Sequence, residues 1–338
     1  MSFTVQVKPS GHQFTSEEGE SILDAAERQG IQLPYGCRNG MCGSCSGVLV
    51  SGSVIYPDDI DTAELDSREQ GYCLTCKAVA TSDIVVNVHE VTTEEEVEVR
   101  SVLSRVDEIE QLAHDVMRVY LKLPEDQRLQ FLAGQYIDFI MEDGRRRAFS
   151  IANASHDDER IELHIRYVSG GEFTEYVFDG MKIGDVHNIQ GPLGGFYLRE
   201  ESDRPLVFMA GGTGFAPLKG IIEHALHIGI NRPIHLYWGV RAKRDLYLGE
   251  LAEQWATESS NITFTPVLSE PDGEWDGATG WVHEQVLADH PDMSGFDLYM
   301  SGPPVMIFAA RDAFKEAGLS EDNMYSDVFE WAKDNPNK

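Results

Sequence analysis

Three cysteines fall within nine residues of an otherwise cysteine-poor chain, in the stretch GCRNGMCGSCSG at positions 36–47. Two more cysteines follow in GYCLTCKA, which makes five in all. Grouped thiolates can bind a metal, form disulfides or hold a redox cluster. The count is odd, and the N-terminal residues contain no apolar secretory segment. We therefore expect a cytoplasmic protein whose thiols stay reduced, which disfavours disulfides.

The first three cysteines are spaced C-x4-C-x2-C. Zinc sites favour paired C-x2-C knuckles, so the gap of four leaves zinc as the weaker alternative. The same spacing, with a distant fourth cysteine, is typical of 2Fe–2S centres of the plant type. Cys76 stands one residue before the apolar run AVATSDIVVNV, where the fourth ligand is expected, whereas Cys73 is predicted to be a small packed residue. The predicted ligands are Cys37, Cys42, Cys45 and Cys76.

Glycines downstream could bind a dinucleotide. The apolar run VFMA leads into Gly211, Gly212, Thr213 and Gly214, and a helical pattern follows. Glycines after a strand let a pyrophosphate approach the backbone and the helix N-terminus. The spacing differs from G-x-G-x-x-G, so the usual Rossmann fingerprint is absent.

The elements that must position these residues fall into three blocks. Residues 1–92 read as a small α+β unit, in which Ser21 caps the short helix SILDAAERQG. An acidic linker covers 93–99. Residues 100–199 contain strand-like runs separated by turns, which predicts an antiparallel β-barrel. Residues 200–338 alternate strands and helices, which predicts a doubly wound parallel α/β domain.

Size and charge exclude other classes of protein. The chain has 338 residues, which is too long for one ordinary hydrophobic core, so several domains are expected. Its 42% of hydrophobic residues is enough for packed globular domains. The formal net charge of −30 argues against nucleic-acid binding, which needs a basic face. No apolar run approaches the ~20 residues of a membrane span.

The sequence resembles a known family. PYGCRNGMCGSCSG is similar to the cluster loop of plant-type ferredoxins, and GGTGFAP to a signature of ferredoxin-NADP reductase-like enzymes. The whole chain resembles the iron–sulfur flavoprotein reductases, in which a β-grasp ferredoxin domain precedes an FAD-binding barrel and an NAD(P)H-binding domain. FLAGQYID, DGATGWVHEQVL and MYSDVF are most similar to the CDP-6-deoxy-Δ3,4-glucoseen reductases. Reductases of phenol hydroxylases and aromatic-ring oxygenases share the domain order.

The resemblance implies an FAD site on the barrel. RAFS at 147–150 corresponds to the family pattern Arg-x-Tyr-Ser/Thr. Arg147 would neutralise the FAD pyrophosphate, Ser150 would hydrogen-bond near flavin N5, and Phe149 would pack on the ring without the usual hydroxyl. The expected FAD site also includes Ala148, His164, Arg166, Val168, Gly171 and Thr174. In HIRYVSGGEFT, His164, Arg166 and Val168 stand on alternate positions and are expected to share one strand face; the alternative for His164 is a surface histidine.

The resemblance also places the nicotinamide nucleotide. It would contact the glycines after VFMA, Arg241 in YWGVR, and Ser301, Gly302 and Pro303 in SGPPVM. Ser301 stands where the family often has Cys. Near the C-terminus, Phe329 is expected to cover the flavin, and Asp327 to neighbour the reacting centre; the alternative is a plain amphipathic tail. The residues expected to be catalytic are Ser150, Ser301, Asp327 and Phe329.

The activity implied is NAD(P)H-dependent electron transfer. NADH would donate a hydride to FAD, which converts two-electron into one-electron chemistry for the 2Fe–2S cluster. The cluster would reduce a separate protein, either a dehydrase or an oxygenase component. A free flavin reductase and a non-catalytic electron carrier are the alternatives. NADPH is chemically possible because Arg241, Lys243 and Arg244 could meet a 2′-phosphate, but the acidic charge of the domain favours NADH.

Overall fold

A computed structural model describes residues 2–29, 31, 33–34, 40, 45–57, 71–88, 99–124 and 129–328. The chain divides into two compact units, residues 1–96 and residues 97–338. None of the helices in the described ranges has the length and hydropathy of a membrane span.

The first unit is an α+β fold with a five-stranded sheet of order β2-β1-β7-β3-β5. A hairpin pairs β1 with β2, and β1 runs parallel to β7. The predicted cap of α1 is present, since Ser21 Oγ accepts a hydrogen bond from Asp24 N at 3.1 Å and donates to Asp24 Oδ2 at 2.7 Å. The elements are β1 Ser2–Lys8, β2 Gln13–Glu17, α1 Ile22–Arg28, β3 Ser46–Ser51, β4 Val54–Ile55, β5 Tyr72–Leu74, β6 Val79–Ala80 and β7 Ile84–Asn87.

The second unit begins with the predicted antiparallel barrel. Its strand order is β11-β10-β13-β8-β9-β12, and a bridge between Ile151 and Leu163 joins the two ends. Apolar side chains on alternate positions fill its interior. The elements are β8 Arg100–Ala113, β9 Val116–Lys122, β10 Tyr136–Ile140, β11 Arg146–Ser150, β12 Arg160–Arg166, α2 Glu172–Asp179 and β13 Val186–Leu193.

A parallel sheet of order β17-β16-β15-β14-β18-β19 follows. β14 is buried along its whole length, as expected for a central strand covered on both faces. The predicted doubly wound fold is confirmed. MYSDV forms the last strand, so a plain amphipathic tail is wrong for these residues. The elements are β14 Leu206–Gly211, α3 Phe215–His227, β15 Ile234–Val240, α4 Gly249–Glu258, β16 Ile262–Leu268, β17 Ala278–Thr279, α5 Val282–Asp289, β18 Asp297–Gly302, α6 Pro304–Glu316 and β19 Met324–Val328.

Candidate active site

Three of the four residues expected to be catalytic meet where the barrel touches the parallel sheet. The register places Ser301 of β18 opposite Asp327 of β19. Ser150, the last residue of β11, donates from Oγ to Asp327 Oδ2 at 2.7 Å across 177 residues of sequence. The fourth residue, Phe329, lies outside the described residues. The end of a barrel strand and the end of a strand of the parallel sheet therefore bring Ser150 and Asp327 together in a buried position.

The hydroxyl of Ser301 has no hydrogen-bond partner within the described structure, although the residue is 0% exposed. Ser150 and Asp327 beside it are also buried. An unsatisfied buried hydroxyl costs about 1–3 kcal/mol. Such a group is retained at this position at the expense of stability, which is typical of residues that serve a ligand.

Residues 211–214, here called the glycine turn, connect β14 to α3. Gly212 has φ 54°, a conformation that favours glycine. A Cβ at Gly214 would collide with the carbonyl oxygen of Ser301. Gly214 therefore lets the turn pack directly against the end of β18, and the glycine requirement comes partly from this contact between strand ends.

Arg166 lies at the glycine turn. Its Nη1 is 2.8 Å from the position that a Cβ of Gly212 would occupy. Its Nε donates to Asp115 Oδ2 at 2.7 Å, which orients the guanidinium. The side chain thus stands beside the predicted pyrophosphate-binding turn of the parallel sheet. The family resemblance implies instead that Arg166 binds FAD.

His164 is buried between the two halves of the second unit. Its Nε2 is 2.9 Å from Glu162 Oε1, and its Nδ1 is 3.1 Å from the hydroxyl of Tyr247. Burial lowers the pKa of His164, although the Glu162 carboxylate acts in the opposite direction. Both ring nitrogens therefore contact protein groups.

Some of the predicted FAD-binding residues lie near the first turn of α2. Phe149 packs against Phe173 of that turn with ring centroids 5.4 Å apart, and Arg145 Nη2 pairs with Glu172 Oε2 at 2.6 Å. Burial and the nearby charge of Arg145 lower the pKa of Arg147. A phosphate beside Arg147 would relieve this penalty, so the residue fits an anionic ligand.

The remaining FAD candidates differ in their surroundings. Thr174 Oγ1 contacts the backbone of Val168 and Gly171 at 3.1 Å, and so braces the loop before α2. Val168 follows the end of β12, so the strand alternation that related it to Arg166 stops short of it. Ala148 is exposed on β11.

Two of the four predicted cluster ligands fall within the described residues, and they converge. Cys45 and Cys76 are buried with their sulfur atoms 3.1 Å apart. Cys73 is a buried thiol whose pKa is raised to about 11, chiefly by burial. A thiol held neutral is a poor metal ligand. Cys37 and Cys42 lie outside the described residues.

Comparison with known proteins agrees with this arrangement along the whole chain. Three family models match: a 2Fe-2S iron-sulfur cluster binding domain over residues 5–81, an oxidoreductase FAD-binding domain over 104–197 and an oxidoreductase NAD-binding domain over 208–312. A Yersinia pestis protein named CDP-6-deoxy-L-threo-D-glycero-4-hexulose-3-dehydrase reductase is 41% identical over 97% of this chain and 99% of its own. The chain belongs to the iron–sulfur flavoprotein reductases.

Other reductases of this family show the same extent of likeness. The phenol hydroxylase P5 protein of Acinetobacter pittii is 35% identical over 99% of this chain and 96% of its own. The crystal structure of an Amycolatopsis cytochrome P450 reductase superposes with a TM-score of 0.79 at 33% identity, covering 97% of this chain and 98% of the other. This reductase is an NAD(P)H-dependent oxidoreductase with FAD and 2Fe–2S domains, and it requires an electron-accepting partner.

Several site residues escaped sequence reasoning. Asp115 holds Arg166, Trp238 Nε1 donates to Gly212 O at 2.9 Å, and Lys219 forms a buried ion pair with Glu162 at 3.0 Å. Lys219 gave the strongest available signal, since a lysine within the apolar pattern APLKGII must find a partner once the helix is buried.

Proposed function

We propose that this reductase transfers a hydride from NADH to FAD at the junction of Ser150, Asp327 and Ser301. The hydrogen bond from Ser150 to Asp327 carries the proposal, because it joins the strand bearing the predicted flavin contacts to the sheet bearing the predicted nicotinamide contacts. FAD, when bound, accepts the two electrons of a hydride and passes them on one at a time. The residues of the chain bind, orient and shield the reactants.

Each half of the second unit has a separate binding task in this proposal. The glycine turn and Arg166 hold the diphosphate of NADH, with Gly302 and Pro303 beside them at the end of β18. Arg147 and the first turn of α2 hold the diphosphate of FAD. Asp327 fixes the direction of the Ser150 hydroxyl, and Phe329 remains the proposed cover of the flavin.

The proposed iron–sulfur ligands remain Cys37, Cys42, Cys45 and Cys76. The 3.1 Å approach of the two described sulfurs supports them. We retain domain boundaries at 1–92, 93–99, 100–199 and 200–338. The proposed compartment is the cytoplasm, where cysteine thiols stay reduced.

We favour NADH over NADPH because of the loop after β15. Arg241 is exposed there. Asp245, whose side chain is 10% exposed, lies 3.9 Å from Arg244 and accepts a hydrogen bond from Ala242 N at 3.0 Å. The negative charge of Asp245 partly neutralises the charge of Arg244, which the 2′-phosphate of NADPH would need as a partner. Cytochrome c reduction with each nucleotide tests the preference, and a larger kcat/KM for NADPH would overturn it.

The proposed electron acceptor is a dehydrase acting on a CDP-linked 6-deoxy-4-hexulose. The 41% identity over the full length of the Yersinia pestis protein supports it. An oxygenase component is the second candidate, supported by the full-length likeness to the phenol hydroxylase P5 protein. The acceptor decides the biological role, whereas the path of electrons within the reductase is the same in both cases.

The test supplies the reductase and NADH to a purified CDP-6-deoxyhexulose dehydrase and, separately, to a phenol hydroxylase oxygenase component. We expect product formation at a reductase KM at least tenfold lower with the dehydrase. Cytochrome c serves as a control, because its reduction reports an intact reductase whichever partner is natural. Coupling to the oxygenase alone would refute the dehydrase assignment and leave hydride transfer intact.

A further inference from the structure

The glycine turn is connected to the barrel by a line of buried side chains that starts at Glu162 on β12. The carboxylate oxygens of Glu162 lie 2.9 Å from His164 Nε2 and 3.0 Å from Lys219 Nζ. Although burial acts to raise its pKa, these hydrogen bonds hold the pKa of Glu162 at about 2. Glu162 is therefore a charged group that only accepts hydrogen bonds.

The charge on Glu162 determines how His164 is protonated. Because the carboxylate only accepts, Nε2 of His164 must carry the proton, which leaves Nδ1 as an acceptor. The hydroxyl of Tyr247 then donates to Nδ1 at 3.1 Å. The ring of His164 is thus held at both nitrogens, and it fixes the hydroxyl of a residue on the other half of the unit.

Tyr247 continues the line to the glycine turn through Trp238. The two rings pack edge to face, with centroids 5.1 Å apart and an interplanar angle of 88°. Trp238 also stacks on Phe215 at 3.9 Å. Its Nε1 donates to the carbonyl oxygen of Gly212 at 2.9 Å. The indole is therefore held by the rings of Tyr247 and Phe215 while its N–H binds the carbonyl of Gly212.

Pinning that carbonyl has a consequence for the next amide. A peptide group is planar, so the orientation of the Gly212 carbonyl fixes that of the Thr213 N–H. Gly212 has φ 54° and no side chain to restrict it. Its carbonyl oxygen also accepts a hydrogen bond from the Phe215 N–H, so Trp238 is a second donor that ties this peptide plane to the neighbouring strand. An amide held in advance in one orientation loses less entropy when it binds a phosphate.

We propose that His164, Tyr247 and Trp238 form a positioning relay that fixes the glycine turn against the barrel and thereby increases its affinity for the diphosphate of NADH. The relay replaces the FAD contact expected for His164. It also explains why Tyr247 and Trp238, which lie on the side of β15 and its following loop, contact a strand of the barrel and the glycine turn. The proposal rests on the assignment of the glycine turn to the NADH diphosphate.

The test uses Tyr247→Phe, which keeps the ring and removes the hydroxyl, and Trp238→Phe, which removes the donor to Gly212. Calorimetric binding of ADP-ribose, which has the diphosphate without the nicotinamide, should weaken three- to tenfold in each variant. Deuterium uptake should rise several-fold in a peptide covering 211–216. The double variant should bind ADP-ribose no more weakly than the single variant that loses more affinity, because the two residues act in series.

Tyr176→Phe is the matched control, since its hydroxyl bonds Asp185 at 2.8 Å within the barrel and the variant should change neither readout. The relay is refuted if Tyr247→Phe leaves ADP-ribose affinity and uptake at 211–216 unchanged. It is also refuted if deuterium uptake rises equally in β10, because the whole unit would then be less stable. A double variant whose loss of ADP-ribose affinity equals the product of the two single losses would refute it as well. Should Trp238→Phe fail to fold, Tyr247→Phe decides alone. Failure of ADP-ribose to bind the unmodified reductase would instead contradict the assignment of the turn.

Discussion

Replacing Ser301 by alanine should stabilise the reductase while it impairs catalysis. The Ser301 hydroxyl is fully buried without a partner in the described structure. Alanine keeps the Cβ and removes only this group, so the penalty of about 1–3 kcal/mol is relieved. For a cooperative unit of this size, 1 kcal/mol shifts Tm by about 2–4 °C. Ser301→Ala should therefore raise the Tm of the FAD-loaded protein by several degrees in scanning calorimetry.

Ser104→Ala is the matched control for the stability measurement. Ser104 is also buried, but its hydroxyl donates to His187 O at 3.2 Å. Removing a satisfied hydroxyl leaves a carbonyl without its donor, so Tm should fall by an amount corresponding to about 1 kcal/mol. An unchanged or lower Tm in Ser301→Ala would refute the reasoning, because the hydroxyl would then have a partner.

The catalytic effect should have the opposite sign. If the Ser301 hydroxyl hydrogen-bonds the bound nicotinamide, its loss removes about 0.5–1.5 kcal/mol, or roughly two- to tenfold in kcat/KM for NADH. Anaerobic stopped-flow reduction of FAD by NADH measures this step without the iron–sulfur domain's partner. A variant that is both more stable and equally fast would remove Ser301 from the reacting centre.

Three further predictions concern the other groups. Cys76→Ser should abolish the 2Fe–2S visible absorption and the iron and sulfide content, whereas Cys73→Ser should retain them; the reverse would exchange the two assignments. Arg147→Ala should weaken FAD retention by about 1.5–3 kcal/mol, measured by flavin release on dilution, because a phosphate loses a charged partner; unchanged retention would contradict this role. The pKa of Glu162 is lowered to about 2 from an ordinary value of 4.5, so its carboxylate stabilises the fold above pH 4.5, and this stabilisation is progressively lost as the pH falls toward 2. Glu162→Gln should therefore flatten the acid-induced loss of stability by up to about 3 kcal/mol in denaturant titrations; an acid limb as steep as that of the unmodified protein would argue against this shift.

The sequence predicted the elements well because hydrophobic period and glycine placement are local properties. VFMAGGTG predicted the central strand and its turn, and SILDAAERQG predicted α1 with its Ser21 cap. Helix α2 was not predicted because it directly follows Gly170 and Gly171 and lies among strands. Its first turn is held by Arg145 from a neighbouring hairpin, which no local pattern contains.

The site was less accessible to sequence reasoning than the fold. Alternation along HIRYV placed Arg166 and Val168 on one face, but β12 ends at Arg166. That side chain lies beside Gly212, 46 positions further along the chain. The family resemblance pointed to Ser150 and Asp327 as site residues, but it did not predict the hydrogen bond between them. Tyr247 and Trp238 carried no motif, since their roles depend on contacts between distant segments.

The buried pair of Glu162 and Lys219 has a consequence for how such chains diversify. Glu162 belongs to the barrel and Lys219 to helix α3, and Gly220 beside it has room only for a hydrogen against Asn153 O. Lys219 keeps Glu223 at 3.0 Å if Glu162 is replaced, whereas a recombinant whose second half lacks a lysine at this position takes the only lysine partner from the buried carboxylate of Glu162 among the described residues. Breaking a buried ion pair in this way costs about 3–5 kcal/mol. That is a large part of the stability of an ordinary domain. A crossover between barrel and parallel sheet is therefore tolerated best when the incoming half brings a lysine at the position of Lys219.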